Sequence, residues 1–136
     1  MTKAIPTIQK YMTTAPHTIG IDQPLSVAHR LMREHHVRHL PVLRGGQIVG
    51  LLSDRDLNLI ESLQGVDPNQ VTVDEGMTEQ PYIVPPTAPL DEVAQTMADN
   101  KYGSAIVVQH EHVVGIFTAV DACRALAELL HTRLAK

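Results

Sequence analysis

The chain has 136 residues, which is enough for one domain or for two small units that share a core. Hydrophobic residues make up 43% and aromatic residues only 3%, so the composition excludes a disordered chain and predicts an aliphatic core without aromatic platforms for base stacking. The net charge of −4 offers no bulk attraction for nucleic acid, and we expect neither a secretory leader nor a membrane span, because no apolar run is long enough.

The sequence contains an internal repeat, which becomes visible when the chain is shifted by 65 residues without a gap. Ten of the 46 positions from 12 to 57 are identical to their counterparts. They are Met12/Met77, Thr13/Thr78, Pro16/Pro81, Pro24/Pro89, Leu25/Leu90, Met32/Met97, Val42/Val107, Val49/Val114, Gly50/Gly115 and Asp56/Asp121. An ungapped match of this length predicts two copies of one structural unit.

Each copy is predicted to form an opening strand, a helix, two strands and a second helix. In the first copy these elements cover 17–21, 25–32, 40–43, 48–52 and 54–62. In the second copy they cover 82–84, 90–97, 105–108, 113–117 and 119–134. Apolar residues at helical spacing predict the first helix, and Gly45-Gly46 predicts the hairpin turn that follows it.

The domain organisation follows from the repeat. We expect a first repeat at 5–63, a linker with the start of the second repeat at 64–76, and a second repeat at 77–134. The predicted fold class is α+β. Because each copy is too small for a robust core of its own, we expect the two βαββα repeats to pack about a pseudo-twofold axis.

The motifs within the repeats resemble tandem CBS domains, the cystathionine-β-synthase-type regulatory repeat, over residues 5–127. Both copies open with Met-Thr, begin their helix with Pro-Leu, and end in the pattern Gly-apolar-apolar-Ser/Thr-x-x-Asp, at Gly50–Asp56 and Gly115–Asp121. The stretch Val37–Val42 is also typical of the family. The resemblance implies a pair with clefts between the repeats, which often binds adenine nucleotides and usually forms dimers.

Ser53 with Asp56, and Thr118 with Asp121, admit two interpretations. In one, each pair is a capping box at the start of the second helix of its copy. In the other, which the resemblance implies, the aspartate accepts hydrogen bonds from ribose and the hydroxyl lies near phosphate. Replacement of either aspartate would then remove one site and leave the fold largely intact.

The resemblance implies further ligand contacts. The opening strands would offer backbone to adenine, two valines would form apolar walls, and basic residues of the first copy would contact phosphate. The residues concerned are Thr18, Ile19, Gly20, Ile83, Val84, Val42, Val107, Arg38, His39 and Arg55. The alternative for Arg38 is a surface residue without a ligand role, or a salt bridge to Glu34, four positions earlier. The second copy has no counterpart of the basic residues, so the two sites are not equivalent.

Metal binding and catalysis find little support in the sequence. His35, His36 and His39 lack a nearby carboxylate or cysteine, and His110 and His112 are expected in a solvated turn. No catalytic motif occurs, so we expect a protein that is not an enzyme. Cys123 lies among leucines and is predicted to be a core thiol. A single cysteine also fits a reducing, cytoplasmic compartment.

The C-terminal helix has more leucine than one small repeat needs. Its surplus apolar face indicates either a dimer contact or packing on residues 5–12.

The resulting hypothesis is a non-catalytic sensor, without a required cofactor, that binds an adenine nucleotide such as AMP, ADP or ATP, with or without Mg²⁺. It would form a homodimer and signal to an effector protein. The alternatives are a constitutive dimerisation scaffold with empty clefts and a histidine-based metal sensor.

Overall fold

The computed structural model describes residues 4–133 and contains eight strands and five α-helices within them. A 3₁₀ turn at Ile8–Lys10 comes first. The elements that follow are β1 (Thr13–Thr14), β2 (Ile19–Gly20), α1 (Leu25–His35), β3 (His39–Arg44), β4 (Gln47–Ser53), α2 (Asp54–Glu61) and α3 (Val73–Gly76). The second half contains β5 (Thr78–Glu79), β6 (Ile83–Val84), α4 (Leu90–Asn100), β7 (Ser104–Gln109), β8 (His112–Thr118) and α5 (Ala119–Arg133).

The strands form two four-stranded mixed sheets, which confirms the predicted α+β class. One sheet has the order β2-β3-β4-β5 and the other the order β6-β7-β8-β1. In each sheet the opening strand runs parallel to the next strand, and the other pairs are antiparallel. Both hairpins contain a register shift, between Val42 and Leu43 and between Val107 and Val108, which are again 65 positions apart.

The chain divides into two compact units that exchange short segments. Residues 16–81 form the central unit, and residues 4–15 with 82–133 form what we call the split unit. The edge strand of each sheet, β5 or β1, therefore comes from the Met-Thr opening of the other sequence copy. The segment 64–76, predicted as linker and start of the second repeat, contains α3, and Val73 of α3 is fully buried in the central unit.

The duplication extends to the backbone torsions. Nine described residues have positive φ, and all except Gly65 form pairs 65 positions apart. The pairs are Ala15/Gln80, His36/Lys101, Gly45/His110 and Gly46/Glu111. His36 and Lys101 adopt the left-handed conformation that ends α1 and α4, so both helices stop where the next strand must begin. The second hairpin makes the same turn as Gly45-Gly46 without glycine.

Each unit has its own hydrophobic core of nine buried residues. The central unit buries Ile19, Leu25, Ala28, Met32, Leu40, Val42, Leu52, Leu57 and Val73. The split unit buries Ile8, Val84, Leu90, Val93, Met97, Ala105, Val107, Phe117 and Ala125. Val73 and Ile8 occupy equivalent positions in the exchanged segments, so the exchange contributes directly to each core. Apart from Phe117, both cores are free of aromatic residues, as the composition predicts.

The C-terminal helix α5 has two different apolar faces. Ala122, Ala125 and Leu129 pack on the same core as Ile8 and Tyr11, which confirms packing on the N-terminal segment. Val120, Leu126 and Leu130 remain exposed on the other face. Cys123 is also exposed, so its predicted role as a core thiol is wrong. The leucine spacing admitted either face, and only the three-dimensional packing selects Ala125 as the buried position. No helix within residues 4–133 has the length and hydropathy needed to cross a membrane.

Candidate functional site

The corner between β4 and α2 contains the capping box that the sequence predicts. The backbone N–H of Asp56 donates to Ser53 Oγ at 3.1 Å, and the backbone N–H of Ser53 donates to Asp56 Oδ2 at 3.2 Å. Asp56 is half-buried, and its Oδ1 atom accepts no hydrogen bond from residues 4–133. The cap therefore uses one carboxylate oxygen and leaves the other available at the N-terminus of α2.

The equivalent corner between β8 and α5 is a capping box with additional partners. Thr118 donates to Asp121 Oδ2 through its N–H at 3.0 Å and its hydroxyl at 3.2 Å. Thr13 Oγ1 donates to Oδ1 at 3.2 Å and Arg124 Nη1 donates to the same oxygen at 3.3 Å. Asp121 is only 4% exposed. Both of its oxygens are thus occupied by the protein, unlike those of Asp56.

Two substitutions between the copies accompany this difference. Leu59 stands at the position of Arg124, so no guanidinium reaches Asp56 from the same helix. Thr78 stands at the position of Thr13 but donates no hydrogen bond to Asp56. The same Ser/Thr-x-x-Asp pattern therefore produces an open carboxylate in the central unit and an internally bonded one in the split unit.

Basic residues lie around the Asp56 corner, and none stands at the corresponding positions of the split unit. Arg38 accepts a hydrogen bond from the N–H of Asp54 through its carbonyl at 2.9 Å, and its side chain is 79% exposed. Its Nε lies 4.0 Å from Asp54 Oδ2, whereas Glu34 lies 4.0 Å from Arg30 Nε. The predicted alternative of an Arg38–Glu34 salt bridge is therefore wrong. Arg55 is exposed at the first turn of α2.

His39 begins β3 and is the Cα partner of Ser53. Burial lowers the pKa of His39 below its ordinary value, with a smaller contribution from Arg38, while Asp54 and Asp56 act in the opposite direction. The fold therefore favours the neutral imidazole at this corner.

The low pKa of His39 predicts acid-sensitive stability. Between the folded and the unfolded pKa the unfolded chain binds more protons, so the free energy of unfolding rises with pH. The contribution of His39 is complete above about pH 6.5 and is lost as the pH falls below that value. Thermal melts from pH 7.5 to 5.5 should show a steeper loss for the wild type than for His39→Ser, which places the residue of the equivalent position, Ser104, at the corner. Parallel curves for the two proteins would contradict this assignment.

The opening strands lie in different surroundings in the two units. Thr18, Ile19 and Gly20 line a cavity of about 730 Å³ in the central unit, together with the β3–β4 turn and the start of α3. This cavity lies at the end of β3, beside the hairpin turn, whereas Ser53 pairs with His39 at the beginning of β3. The length of β3 therefore separates the cavity from the Ser53 corner by about 16 Å. In the split unit Ile83 is 43% exposed and Val84 is buried.

The predicted apolar walls lie inside the cores. Val42 and Val107 are fully buried in the central and the split unit, respectively. A ligand could contact these side chains only after their neighbours move. Their role as walls of a ligand site stays a prediction.

Two tyrosines that the sequence analysis did not select lie close together in the split unit. The rings of Tyr82 and Tyr102 have centroids 5.4 Å apart at an angle of 31°, and Tyr102 and the neighbouring Ile83 are exposed. Parallel pairing of β6 with β7 brings these residues together. A signal was present, since the chain contains only four Phe, Trp or Tyr residues, and Tyr82 lies in the predicted opening strand while Tyr102 precedes the next predicted strand.

The histidines form no metal centre in residues 4–133, where no group of three or more His, Cys, Asp or Glu side chains could hold an ion. The ring of His35 stacks on that of His17 with centroids 3.7 Å apart. His110 lies in the exposed hairpin turn, as predicted.

The duplicated βαββα units and their capped strand-to-helix corners define a tandem-repeat module. Residues 8–59 and 70–128 match the CBS domain family, and the chain belongs to that family as a CBS pair. A crystal structure of AcuB from Vibrio cholerae is 28% identical with a TM-score of 0.85, and the match covers 98% of both chains.

Two further solved structures carry bound groups. Hypoxic response protein 1, which occurs in Mycobacterium tuberculosis, was solved with two coordinated zinc ions; it is 28% identical, with a TM-score of 0.76, over 88% of this chain and 98% of that one. CBSX2 of Arabidopsis thaliana was solved in complex with AMP; it is 25% identical, with a TM-score of 0.81, over 90% and 97%.

The similarity to enzymes is partial. An inosine-5′-monophosphate dehydrogenase from Korarchaeum cryptofilum is 30% identical over 122 residues, but these cover only 24% of that enzyme. By contrast, the matches cover 98% of the solved AcuB chain and 97% of the solved CBSX2 chain.

Proposed function

We propose that the protein is a non-catalytic regulatory module that binds an adenine nucleotide through the Asp56 corner. The observation that carries the proposal is the free Oδ1 of Asp56, at a helix N-terminus and beside Arg38, His39 and Arg55. The AMP complex of CBSX2 supports adenine nucleotides as the ligand class. AMP is the first candidate, and the number of phosphates and any need for Mg²⁺ are variables of the test.

The chemistry of the corner suits a ribose phosphate. A carboxylate can accept hydrogen bonds from two neighbouring ribose hydroxyls, and charge-assisted bonds of this kind are strong. Arg38 and Arg55 are exposed and can turn their guanidinium groups toward phosphate. The N-terminus of α2 adds partial positive charge from its backbone N–H groups. Asp121 offers no free oxygen, so it is the weaker candidate.

Regulation requires that the nucleotide bind one conformation more tightly than another. We propose that this difference in affinity is passed to a separate effector protein.

Asp56→Asn tests the nucleotide site. The amide can still accept the cap hydrogen bond but lacks the charge that favours ribose hydroxyls, so we expect AMP to bind about 10–100-fold more weakly. Isothermal titration calorimetry against AMP, ADP and ATP, with and without Mg²⁺, measures the change. Asp91→Asn is the matched control, because it makes the same charge change at an exposed position in the first turn of another helix, α4, and it should change the affinity less than threefold.

Three results would decide against the proposal. They are no heat with any nucleotide at millimolar concentration, equal loss in both variants, or stabilisation by Zn²⁺ alone. The last would support the metal-sensor alternative, which the zinc-bound relative makes worth testing.

A second candidate is a dimerisation scaffold, favoured by the exposed Val120, Leu126 and Leu130 on α5. Sedimentation of wild type and Leu126→Glu/Leu130→Glu would test it. A homodimer that becomes monomeric in the variant is expected on this candidate. It is compatible with nucleotide binding, which the calorimetry decides independently.

A further inference from the structure

The two exchanged segments carry the same dipeptide and contact the same feature of each sheet. Met77 lies over Gly50 in the central unit, and Met12 lies over Gly115 in the split unit. In both places a Cβ on the glycine would come closer than 3.0 Å to the methionine sulfur. The close neighbour of each glycine is thus a methionine side chain. Because the contacts are alike, Met-Thr alone cannot select one sheet over the other.

The residue before each dipeptide differs in size. In the central unit it is Gly76, and a Cβ there would lie 2.5 Å from Ile60 Cδ1 and 3.6 Å from the side chains of Leu25 and Leu52. Ile60 therefore fills the space where a side chain at position 76 would point. Position 76 therefore accepts only glycine unless Ile60 moves. We call Ile60, and its counterpart Ala125 in the split unit, the slot residues.

The split unit has the opposite arrangement. Position 11, the counterpart of Gly76, is Tyr11. It packs on the cluster that contains Ala125, Leu90 and Phe117, the counterparts of Ile60, Leu25 and Leu52. The Tyr11 hydroxyl is buried without a partner among the described residues, although the residue as a whole is only half-buried. The large Tyr11 thus packs on the cluster in which the small Ala125 stands at the position of Ile60.

We propose that Tyr11 with Ala125, and Gly76 with Ile60, are matched pairs that select the exchanged arrangement of the chain. In the unexchanged alternative each Met-Thr segment would pack on the sheet of its own sequence copy. Tyr11 would then collide with Ile60, and Gly76 would leave a cavity beside Ala125. Both costs disfavour the alternative, whereas the two Met-Thr contacts would remain the same.

The test uses full-length variants in two sets. The segment variant is Tyr11→Gly/Gly76→Tyr, and the slot variant is Ile60→Ala/Ala125→Ile. In the exchanged arrangement each is mismatched, so each should lower the melting temperature by about 5 °C or more. Combining all four substitutions restores the match in both units and should recover at least half of the summed loss.

A disulfide probe reports the arrangement directly, in a Cys123→Ser background. Thr13 is the Cα partner of Ile116 across β1 and β8, and Leu51 is the counterpart of Ile116 in the other sheet. The Thr13→Cys/Ile116→Cys protein should crosslink, whereas Thr13→Cys/Leu51→Cys should not. When the slot substitutions are added, the yield of the disulfide between positions 13 and 51 should rise. This disulfide should form within one chain and not between two chains.

A milder pair keeps the test decisive if a variant fails to fold. Gly76→Ala should lower the melting temperature, and adding Ile60→Val, which shortens the colliding side chain, should recover part of the loss. Adding Ala125→Ile instead should give no recovery. The proposal is overturned by additive losses in the fourfold variant, by equal recovery from both second substitutions, or by crosslinks that the slot variant does not change.

Discussion

Replacement of Asp121 by alanine is expected to lower the free energy of unfolding by about 2–4 kcal/mol. The carboxylate caps α5 and accepts hydrogen bonds from Thr13, Thr118 and Arg124 while it is almost completely buried. Its loss removes the side-chain half of the capping box and leaves the half-buried N–H and hydroxyl of Thr118 without this acceptor, although the backbone N–H of residue 121 can still donate to Thr118 Oγ1. Urea denaturation followed by circular dichroism measures the change.

Asp56→Ala is the matched control for Asp121→Ala. It removes the equivalent half of the capping box, which here is one hydrogen bond accepted by a half-buried carboxylate, so a loss of about 1 kcal/mol is expected. This differs from the expectation that either aspartate could be replaced with the fold largely intact, which we now restrict to Asp56. Equal losses in the two variants would show that the additional partners of Asp121 do not stabilise the split unit.

The repeat and its main elements were predictable because their signals are local. Apolar spacing over 25–32 and 90–97 predicts α1 and α4, and both helices lie where expected. The hairpins follow from apolar runs on either side of a turn. The capping boxes follow from residues three positions apart.

The exchange of segments was not predictable in the same way. Strands β1 and β5 have two residues each and α3 has four, which is too short for any periodic signal. The strands are recognisable only through their partners in β8 and β4, far along the chain. Comparison of the two copies nevertheless contains a usable signal. Positions 12 and 77 are both methionine, whereas the positions just before them, Tyr11 and Gly76, differ greatly in side-chain size.

The candidate site shows the same limit. The aspartates at positions 56 and 121 predicted one ligand site in each copy, not equivalent in their basic residues, yet only Asp56 keeps a free oxygen. The difference depends on Thr13, which lies 108 positions before Asp121. Arg124 could have been noticed, since the counterpart position in the first copy is Leu59. A repeat motif therefore predicts where a carboxylate lies, whereas its availability depends on side chains outside the motif.

The largest loss of stability is expected for Phe117→Ala, about 3–5 kcal/mol of unfolding free energy. Phe117 is the one phenylalanine of the chain, is fully buried, and lies in β8 at the centre of the split unit's core. Its removal leaves a cavity in the cluster that also contains Ile8 of the exchanged N-terminal segment and Ala125 of α5. Guanidinium denaturation monitored by circular dichroism gives the magnitude.

Phe117→Leu separates the loss of packing from the loss of a particular shape. Leu52 occupies the equivalent position of the central unit and is also fully buried, so a leucine fits the backbone at this point of the fold. The change removes less volume and should cost less than about 2 kcal/mol, because the neighbours can close most of the gap. If leucine were as damaging as alanine, the split unit would require an aromatic ring here, and its core would not be interchangeable with that of the central unit. A small effect would show that the two cores still follow one packing pattern, with Tyr11 and Ala125 as their main point of divergence.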